Sequence, residues 1–383
     1  MRSEKFYRRV WKTLYFVGHR FLVTKFNFSH DKVTEQGPFI VVSNHVTNWD
    51  PLLVAMSFPK NNLHYVASEH LFRMGFVSKL INFLVAPISR RKGTSGLDTA
   101  MNSLRTLRAG GSVCIFGEGE CTWDGRSVDI VASTGTLARA SGAKLVTYRL
   151  EGGYFTFPRW GLEQRRGRMR GHVVNIYEPE QLKAMRPDAI TAMINKDIYE
   201  DAQARQDVEK VRYKGKKRAE NLETVLFMCP KCKKIGTLRS SGSHFGCECG
   251  LSMEFTEYGR FEPASPFGTI GEWDAWQHEM LKSGEYAHGE DSFADEGVAL
   301  NEVSDDHDVN EVNRGKLTLK QGALHIGGYV FKLRKIPNMA IVRTNRLFFD
   351  YDGKYYELRA FEPRCLRKYR SAWQIAAAES ATE

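Results

Sequence analysis

No stretch of this 383-residue chain reaches the ~20 consecutive apolar residues that a membrane-crossing helix needs, so a spanning protein is not expected. A secretory leader is missing from the pattern too. The first apolar segment is cut by His19 and Arg20, and no small-residue cleavage site follows it. Cysteine is scarce, with seven in all, and without an export signal the thiols are expected to stay reduced, which argues against a disulfide framework. Between Glu290 and Glu311 there is neither Lys nor Arg, while Asp291, Asp295, Glu296, Glu302, Asp305, Asp306 and Asp308 accumulate. Such a composition favours a solvated linker. Elsewhere acid is outnumbered, and the formal charge is +10. The expectation is a cytoplasmic protein held peripherally at the inner face of the cell membrane. At 42% hydrophobic residues, the length accommodates two or three domains, with a sizeable core in the first.

Much of the positive excess lies near the N-terminus. Phe6, Val10, Leu14, Val17 and Phe21 recur at helical spacing, flanked by Tyr7, Trp11 and Leu22, with Lys5, Arg8, Arg9, Lys12 and Arg20 among them. A basic, aromatic, amphipathic helix of this kind either lies among the headgroups of an anionic leaflet or packs its stripe on the domain that follows. Met74 to Leu84 forms a second amphipathic stretch, and Arg165 to Arg170 reads as a basic hairpin turn before a strand from Val173 to Tyr177, facing either headgroups or water, with the solvated turn favoured.

Two segments carry the chemistry. Pro38 to Ser43 is an apolar run that reads as a buried strand, and Asp50-Pro51 is a helix-start signal, so Asn44-His45-Val46-Thr47-Asn48-Trp49-Asp50 forms a strand-to-helix loop. An imidazole there can take a proton from an alcohol when its other nitrogen is held by a carboxylate. His45 is then the base and Asp50 its orienter; the plainer reading of Asp50 is an N-cap ahead of an N1 proline. A second apolar strand, Ser112 to Phe116, runs into Gly117-Glu118-Gly119 at a strand end, where open α/β sheets bind ligands.

On these residues the N-terminal half resembles the glycerophospholipid acyltransferase family, which includes the lysophosphatidate acyltransferases. The family's His-four-residues-Asp block matches His45 and Asp50. The block that ends in a substrate-binding Arg falls on Phe83 to Arg90, the Phe-Pro-Glu-Gly block on Phe116 to Cys121, and the apolar fourth block on Ala143 to Leu150. Gly117 stands for the usual proline, Glu120 for Thr or Asn, and Cys121 for an arginine that helps to hold an acceptor phosphate. Arg126, Arg149 or the Arg90-Arg91-Lys92 cluster is positioned in sequence to supply that charge instead. The resemblance implies direct transfer of a fatty acyl group from acyl-CoA or acyl carrier protein to a lysophospholipid hydroxyl, without an acyl-enzyme. His45 and Asp50 would be the catalytic pair, and Arg90, Glu118 and Gly119 would bind substrate. The acceptor it points to is 1-acylglycerol 3-phosphate, giving phosphatidate. The altered third block keeps open a catalytically impaired lipid-binding relative.

Further on stand Cys229-Pro230-Lys231-Cys232 and Cys247-Glu248-Cys249-Gly250. Two close thiol pairs near turns suit a structural tetrahedral zinc, with a hairpin between them, and this resembles a zinc ribbon. The one-residue spacing of the second pair leaves His244 as an alternative ligand to one thiol. Cys114, Cys121 and Cys365 remain outside, as packing or incidental residues. A zinc ribbon with positive charge also fits a nucleic-acid binder, but the segment lacks a basic-aromatic reading surface and that class leaves His45, Asp50, Glu118 and Gly119 unexplained, so no nucleic acid is expected.

From Lys316 to Leu358 six short alternating strands are punctuated by Gln321-Gly322, Gly327-Gly328 and Asp352-Gly353, and Arg364 to Ala376 reads as a closing helix. This resembles a pleckstrin-homology or GRAM-type module, either binding headgroups through Lys332, Arg334 and Lys335 or docking internally. The expected architecture is an α/β acyltransferase domain with a mixed or parallel central sheet and flanking helices, then a small zinc ribbon and a small antiparallel β domain capped by a helix. By residue number it runs as an interfacial helix (1–26), the acyltransferase domain (27–185), a helical connector (186–226), the zinc ribbon (227–262), a helix and acidic linker (263–312) and the β domain (313–378).

Overall fold

The computed structural model describes residues 3–68, 71–72, 76–90, 96–286, 293–304, 308–362 and 365–382, apart from the side chains of residues 77, 381 and 382. Met74, Arg91, Lys92, Glu290, Asp291, Asp305, Asp306, His307 and Arg364 lie outside the described residues. The chain forms two compact units, one of residues 1–159 and 165–214, the other of residues 160–164 and 215–383.

The first unit runs α1 (Glu4–Phe26), β1 (Phe28–His30), β2 (Phe39–Ser43), α2 (Asp50–Ala55), β3 (Leu63–Ser68), α3 (Phe76–Val85), β4 (Ile88–Arg90), α4 (Leu97–Arg108), β5 (Ser112–Phe116), α5 (Ser133–Ser141), β6 (Lys144–Glu151), α6 (Gly153–Thr156), β7 (Met169–Tyr177), α7 (Pro179–Ala184), α8 (Pro187–Ile198) and α9 (Ala202–Glu209). Its seven strands form one mixed sheet in the order β1-β7-β6-β2-β5-β3-β4. β6, β2, β5, β3 and β4 are mutually parallel, and β7 turns antiparallel to β6. Every residue of β2 is buried, as a strand covered on both faces requires. Alternation then sorts the side chains. Phe39, Val41, Cys114, Val146 and Tyr148 meet α1 and α2 on one face. Ile40, Val42, Val113, Ile115 and Leu145 meet Leu107, Ala138, Ile190, Ile194 and Ile198 of the helices on the other.

Helix α1 packs through Tyr7, Trp11, Leu22 and Phe26, and Trp11 Nε1 donates to Phe58 O at 2.9 Å. The aromatic flank, not the stripe read from the sequence, is therefore the docking face. Phe6, Val10 and Leu14 are half-buried, and Val17 and Phe21 are exposed together with Phe16. Among the described residues no helix is long and apolar enough to cross a membrane. The basic run is also corrected. Arg165 is buried, and Arg170 Nη1 and Arg168 Nη2 donate to Glu209 of α9 at 3.0 and 2.5 Å, while Arg166 stays exposed, so only part of the run is solvated. The helical reading of Pro187 to Val225 fails past α9. Lys210 adopts a left-handed φ of 50° that ends the helix, and the chain continues without an α-helix until it passes Val225.

The second unit begins with β8 (Leu238–Ser241), β9 (His244–Cys247), β10 (Leu251–Phe255) and β11 (Phe261–Glu262), an antiparallel sheet in the order β11-β10-β9-β8. Helix α10 (Ile270–Ser283) seals it: Trp273 packs against Phe245 and Phe261 with its ring tilted by 58° and 60° to theirs, and its Nε1 donates to Met228 O at 2.8 Å. Seven further strands, β12 (Ala294–Val303), β13 (Val309–Lys320), β14 (Ala323–Ile326), β15 (Tyr329–Lys332), β16 (Met339–Val342), β17 (Arg346–Tyr351) and β18 (Lys354–Arg359), precede α11 (Arg367–Thr382). They form an antiparallel sheet in the order β15-β14-β13-β12-β18-β17-β16.

β12 and the start of β13 occupy the segment expected to be an acidic linker. Val298, Ala299, Leu300 and Val303 of β12 are buried. The acid that suggested a linker is neutralised from α11: Asp295 accepts from Tyr369 Oη at 2.7 Å and pairs with Lys368 Nζ at 2.9 Å.

Candidate active site

Because β2, β5, β3 and β4 run parallel, the segments leaving their C-terminal ends share one edge of the sheet, the usual ligand edge of an open α/β sheet. His45 follows β2, Glu118 and Gly119 follow β5, and Arg90 ends β4. The loop after β2 is fastened by Asn44, whose amide donates to Leu150 O at 2.9 Å and accepts from Leu150 N at 2.7 Å.

His45 Nδ1 donates to Asp50 Oδ2 at 2.7 Å. The same oxygen accepts from Val46 N at 2.6 Å and Thr47 N at 2.9 Å, while Oδ1 accepts from Thr47 Oγ1 at 2.9 Å. Asp50 is fully buried, so these donors replace its hydration. Its carboxylate points back into the loop and does not cap α2 in the ordinary way; the residue preceding that helix is Trp49, with no side-chain cap. The chain spends this acid on the imidazole.

Glu118 braces the same loop from the other strand. Its Oε1 accepts from His45 N at 2.9 Å and its Oε2 from Val128 N at 3.2 Å. Burial raises its pKa to about 7, against the pull of those two amides. Gly119 turns with a φ of 78°, a conformation glycine adopts without strain. Gly117 is constrained differently, since a Cβ there would lie 2.6 Å from Ile130 Cγ2. Gly117→Ala is expected to lose roughly 1–3 kcal/mol by overpacking, and to cost less than that when added to a chain that already carries Ile130→Ala. Thermal unfolding of the single and double variants checks this, and an equal cost of Gly117→Ala in the two backgrounds would count against the clash.

Arg90 stands apart from this cluster. Its guanidinium lies against Gly96, where a Cβ would fall 1.6 Å from Nη1, at the start of α4. The replacement cations are committed elsewhere: Arg126 pairs with Asp201 at 3.1 Å and Arg149 with Glu151 at 3.1 Å.

Two residues to which the sequence reading gave no catalytic or binding role join the site. Arg159 Nη1 donates to Glu120 Oε2 and to Cys121 O, both at 2.8 Å, with its guanidinium 3.6 Å from the Trp123 ring centroid. Cys121, expected to be incidental, places Sγ 3.4 Å from His45 Nε2 and 3.6 Å from Nδ1, while the His45 ring stacks on Phe116 at 4.5 Å. Its position two residues beyond Gly119 was the only signal. Burial favours neutral His45, but the Cys121 sulfur beside the ring and the hydrogen bond that the ring donates to Asp50 outweigh it and raise its pKa to about 10.

In the second unit Cys229, Cys232, Cys247 and Cys249 bring their sulfurs within 4.8 Å of one another, so that they can hold a metal ion. Cys229 Sγ lies 3.6 Å from Cys249 Sγ, and Cys232 Sγ 3.8 Å from Cys247 Sγ. His244 opens β9, exposed, and is not part of the cluster.

Residues 25–151, a third of the chain, match the family model described as Acyltransferase, and the matched stretch includes the loops that carry His45, Asp50, Arg90, Glu118 and Gly119. The solved structure of the 1-acyl-sn-glycerophosphate (LPA) acyltransferase PlsC from Thermotoga maritima is similar to this chain at 18% identity with a TM-score of 0.42, over 52% of this chain and 82% of that one. No curated protein matches the sequence.

Proposed function

We propose that the protein transfers a fatty acyl group from acyl-CoA or acyl carrier protein to the free hydroxyl of a lysophospholipid, with 1-acylglycerol 3-phosphate as acceptor and phosphatidate as product. The observation that carries this reading is the His45–Asp50 pair, held by buried donors on the ligand edge of an acyltransferase domain. With Nδ1 committed to Asp50, Nε2 is the nitrogen that accepts the acceptor's hydroxyl proton, and Asp50 stabilises the imidazolium that forms. Glu118 and Gly119 shape the loop that carries His45. Arg90, at the end of β4 and beside the first turn of α4, is the group we assign to the acceptor phosphate.

Contact with a membrane surface is supported by two helices that meet through Phe6 and Phe83, rings 5.5 Å apart. α1 exposes Phe16, Val17 and Phe21, and α3 exposes Phe76, Leu80 and Phe83 on one helical face. Structural zinc on the four cysteines is supported by their spacing, since Zn–S bonds of about 2.3 Å give a tetrahedron with edges of about 3.8 Å. For the seven-stranded sheet closed by α11, the pleckstrin-homology or GRAM-like reading rests on that architecture.

The test is transfer of a labelled acyl group from acyl-CoA or acyl carrier protein to lysophosphatidate in anionic vesicles, with wild type beside His45→Ala. Loss of the base is expected to lower turnover by roughly 100- to 10,000-fold. Wild-type turnover in His45→Ala, or none by the zinc-loaded wild type on any lysolipid, would overturn the proposal.

A further inference from the structure

We propose that Arg159 is a positioning residue for direct acyl transfer: it clamps the turn of Glu120 and Cys121 and, through that turn, fixes the orientation of the His45 ring. The assignment rests on the acyltransferase reading above and adds to that site a residue from beyond the matched stretch 25–151.

Arg159 meets the two consecutive positions at which the chain departs from the family's third block after Gly119. Its Nη1 donates to Glu120 Oε2 and to Cys121 O, both at 2.8 Å, and its guanidinium lies 3.6 Å from the centroid of the Trp123 ring. Two further contacts close the same turn onto the site. Thr122 N donates to His45 O at 2.9 Å, and Tyr154 Oη donates to Trp123 O at 3.2 Å. So held, the turn lays Cys121 Sγ over the face of the His45 ring, 3.4 Å from Nε2 and 3.6 Å from Nδ1, while Asp50 holds the edge of the ring at Nδ1. The direction of the Nε2 lone pair, which takes the hydroxyl proton, follows from these two contacts.

An ion pair kept for stability alone explains the arrangement less well. The side chains of Arg159 and Glu120 are only 5% and 14% exposed. Burying two charges carries a desolvation cost that their attraction does little more than offset, and two apolar side chains of similar size would hold the turn about as firmly. What the pair supplies is one geometry. A planar guanidinium that meets a carboxylate, a backbone carbonyl and the face of an indole loses all three contacts when the turn shifts, so the turn is held in a single place. Displacement of a reacting group by about 1 Å costs about 100-fold in rate, which sets the size of the effect.

The test uses the zinc-loaded full chain in the lysophosphatidate assay, comparing wild type with Arg159→Met/Glu120→Met, in which both charges leave together and neither is stranded. The double variant is expected to melt within a few degrees of wild type, to keep KM within a few-fold and to lose kcat by about 100-fold. Its kcat/KM is expected to begin its rise with pH at lower pH, because the sulfur that helps to raise the His45 pKa is no longer held on the ring. A purely structural pair moves neither kcat nor that limb in a folded chain. Should the double variant unfold, Arg159→Lys decides: it keeps a charge beside Glu120 without the planar guanidinium, and a lowered kcat in the folded chain is expected. Wild-type kcat and pH profile in either folded variant overturn the assignment and, with His45→Ala inactive in the same assay, leave the acyltransferase reading standing. A wild type inactive on every lysolipid sinks both.

Discussion

Asp50→Asn is expected to lower kcat of the proposed acyl transfer by roughly 100- to 10,000-fold while the chain keeps its fold. The hydrogen-bond pattern makes the two effects separable. Three donors, His45 Nδ1, Val46 N and Thr47 N, converge on Oδ2, and only Thr47 Oγ1 uses Oδ1. An asparagine with its carbonyl oxygen in the Oδ2 position keeps all three. Its amide then faces Thr47 Oγ1, a hydroxyl that can turn to accept. What is lost is the negative charge facing the imidazolium. His45 then falls from its value of about 10, because the hydrogen bond and charge of Asp50 help to hold it there. The raised value also has a sign in stability. The contribution is fully present below the ordinary histidine value of about 6.5 and disappears as pH rises through about 10. Wild type is therefore expected to lose stability across that alkaline window, and the variant to lose less. Rates and thermal unfolding measured from pH 6 to about pH 10.5 check both statements; a variant with unchanged kcat would remove Asp50 from the mechanism.

Much of the first unit could be read from the sequence because its informative strands are short, apolar and sharply ended. β2 falls within the run Pro38 to Ser43, starting one residue later, and β5 where Ser112 to Phe116 suggests, and a parallel sheet then brings their following loops to one edge. What failed depended on distant partners. The arginines of residues 165–170 read as a solvated turn because Glu209, which accepts from two of them, lies far along the chain. β12 was hidden for the same reason, its Asp295 being matched by Lys368 and Tyr369 of the last helix. Helix α1 carries apolar residues on more than one side, so periodicity alone chose the stripe that the fold leaves partly exposed. Cys121 was unreadable for another reason. A single cysteine has no pattern, and only the turn at Gly119 brings its sulfur beside His45.

The other large effect is expected from the four cysteines. The full chain is expected to hold one zinc ion, and Cys232→Ser or Cys247→Ser to lose it. Structural zinc sites supply apparent binding free energies of about 10–16 kcal/mol, more than a small four-stranded sheet gains from its core. Here that core is Phe245, Phe255 and Phe261 packed on Trp273, whose indole donates to Met228 O, the residue before Cys229. Loss of the ion would leave four thiols crowded within 4.8 Å and remove the tie between the chain at Cys229 and the β9–β10 turn, and the aromatic cluster is expected to open with it. With all four tetrahedral positions filled by protein sulfur, a bound zinc would have no position left for substrate, and its contribution would be to folding. Metal stoichiometry by elemental analysis, with thermal unfolding of the full chain before and after a chelator, makes the comparison. A lower unfolding temperature in step with zinc loss is expected, and a chain that melts unchanged without zinc would separate these cysteines from the stability of the sheet.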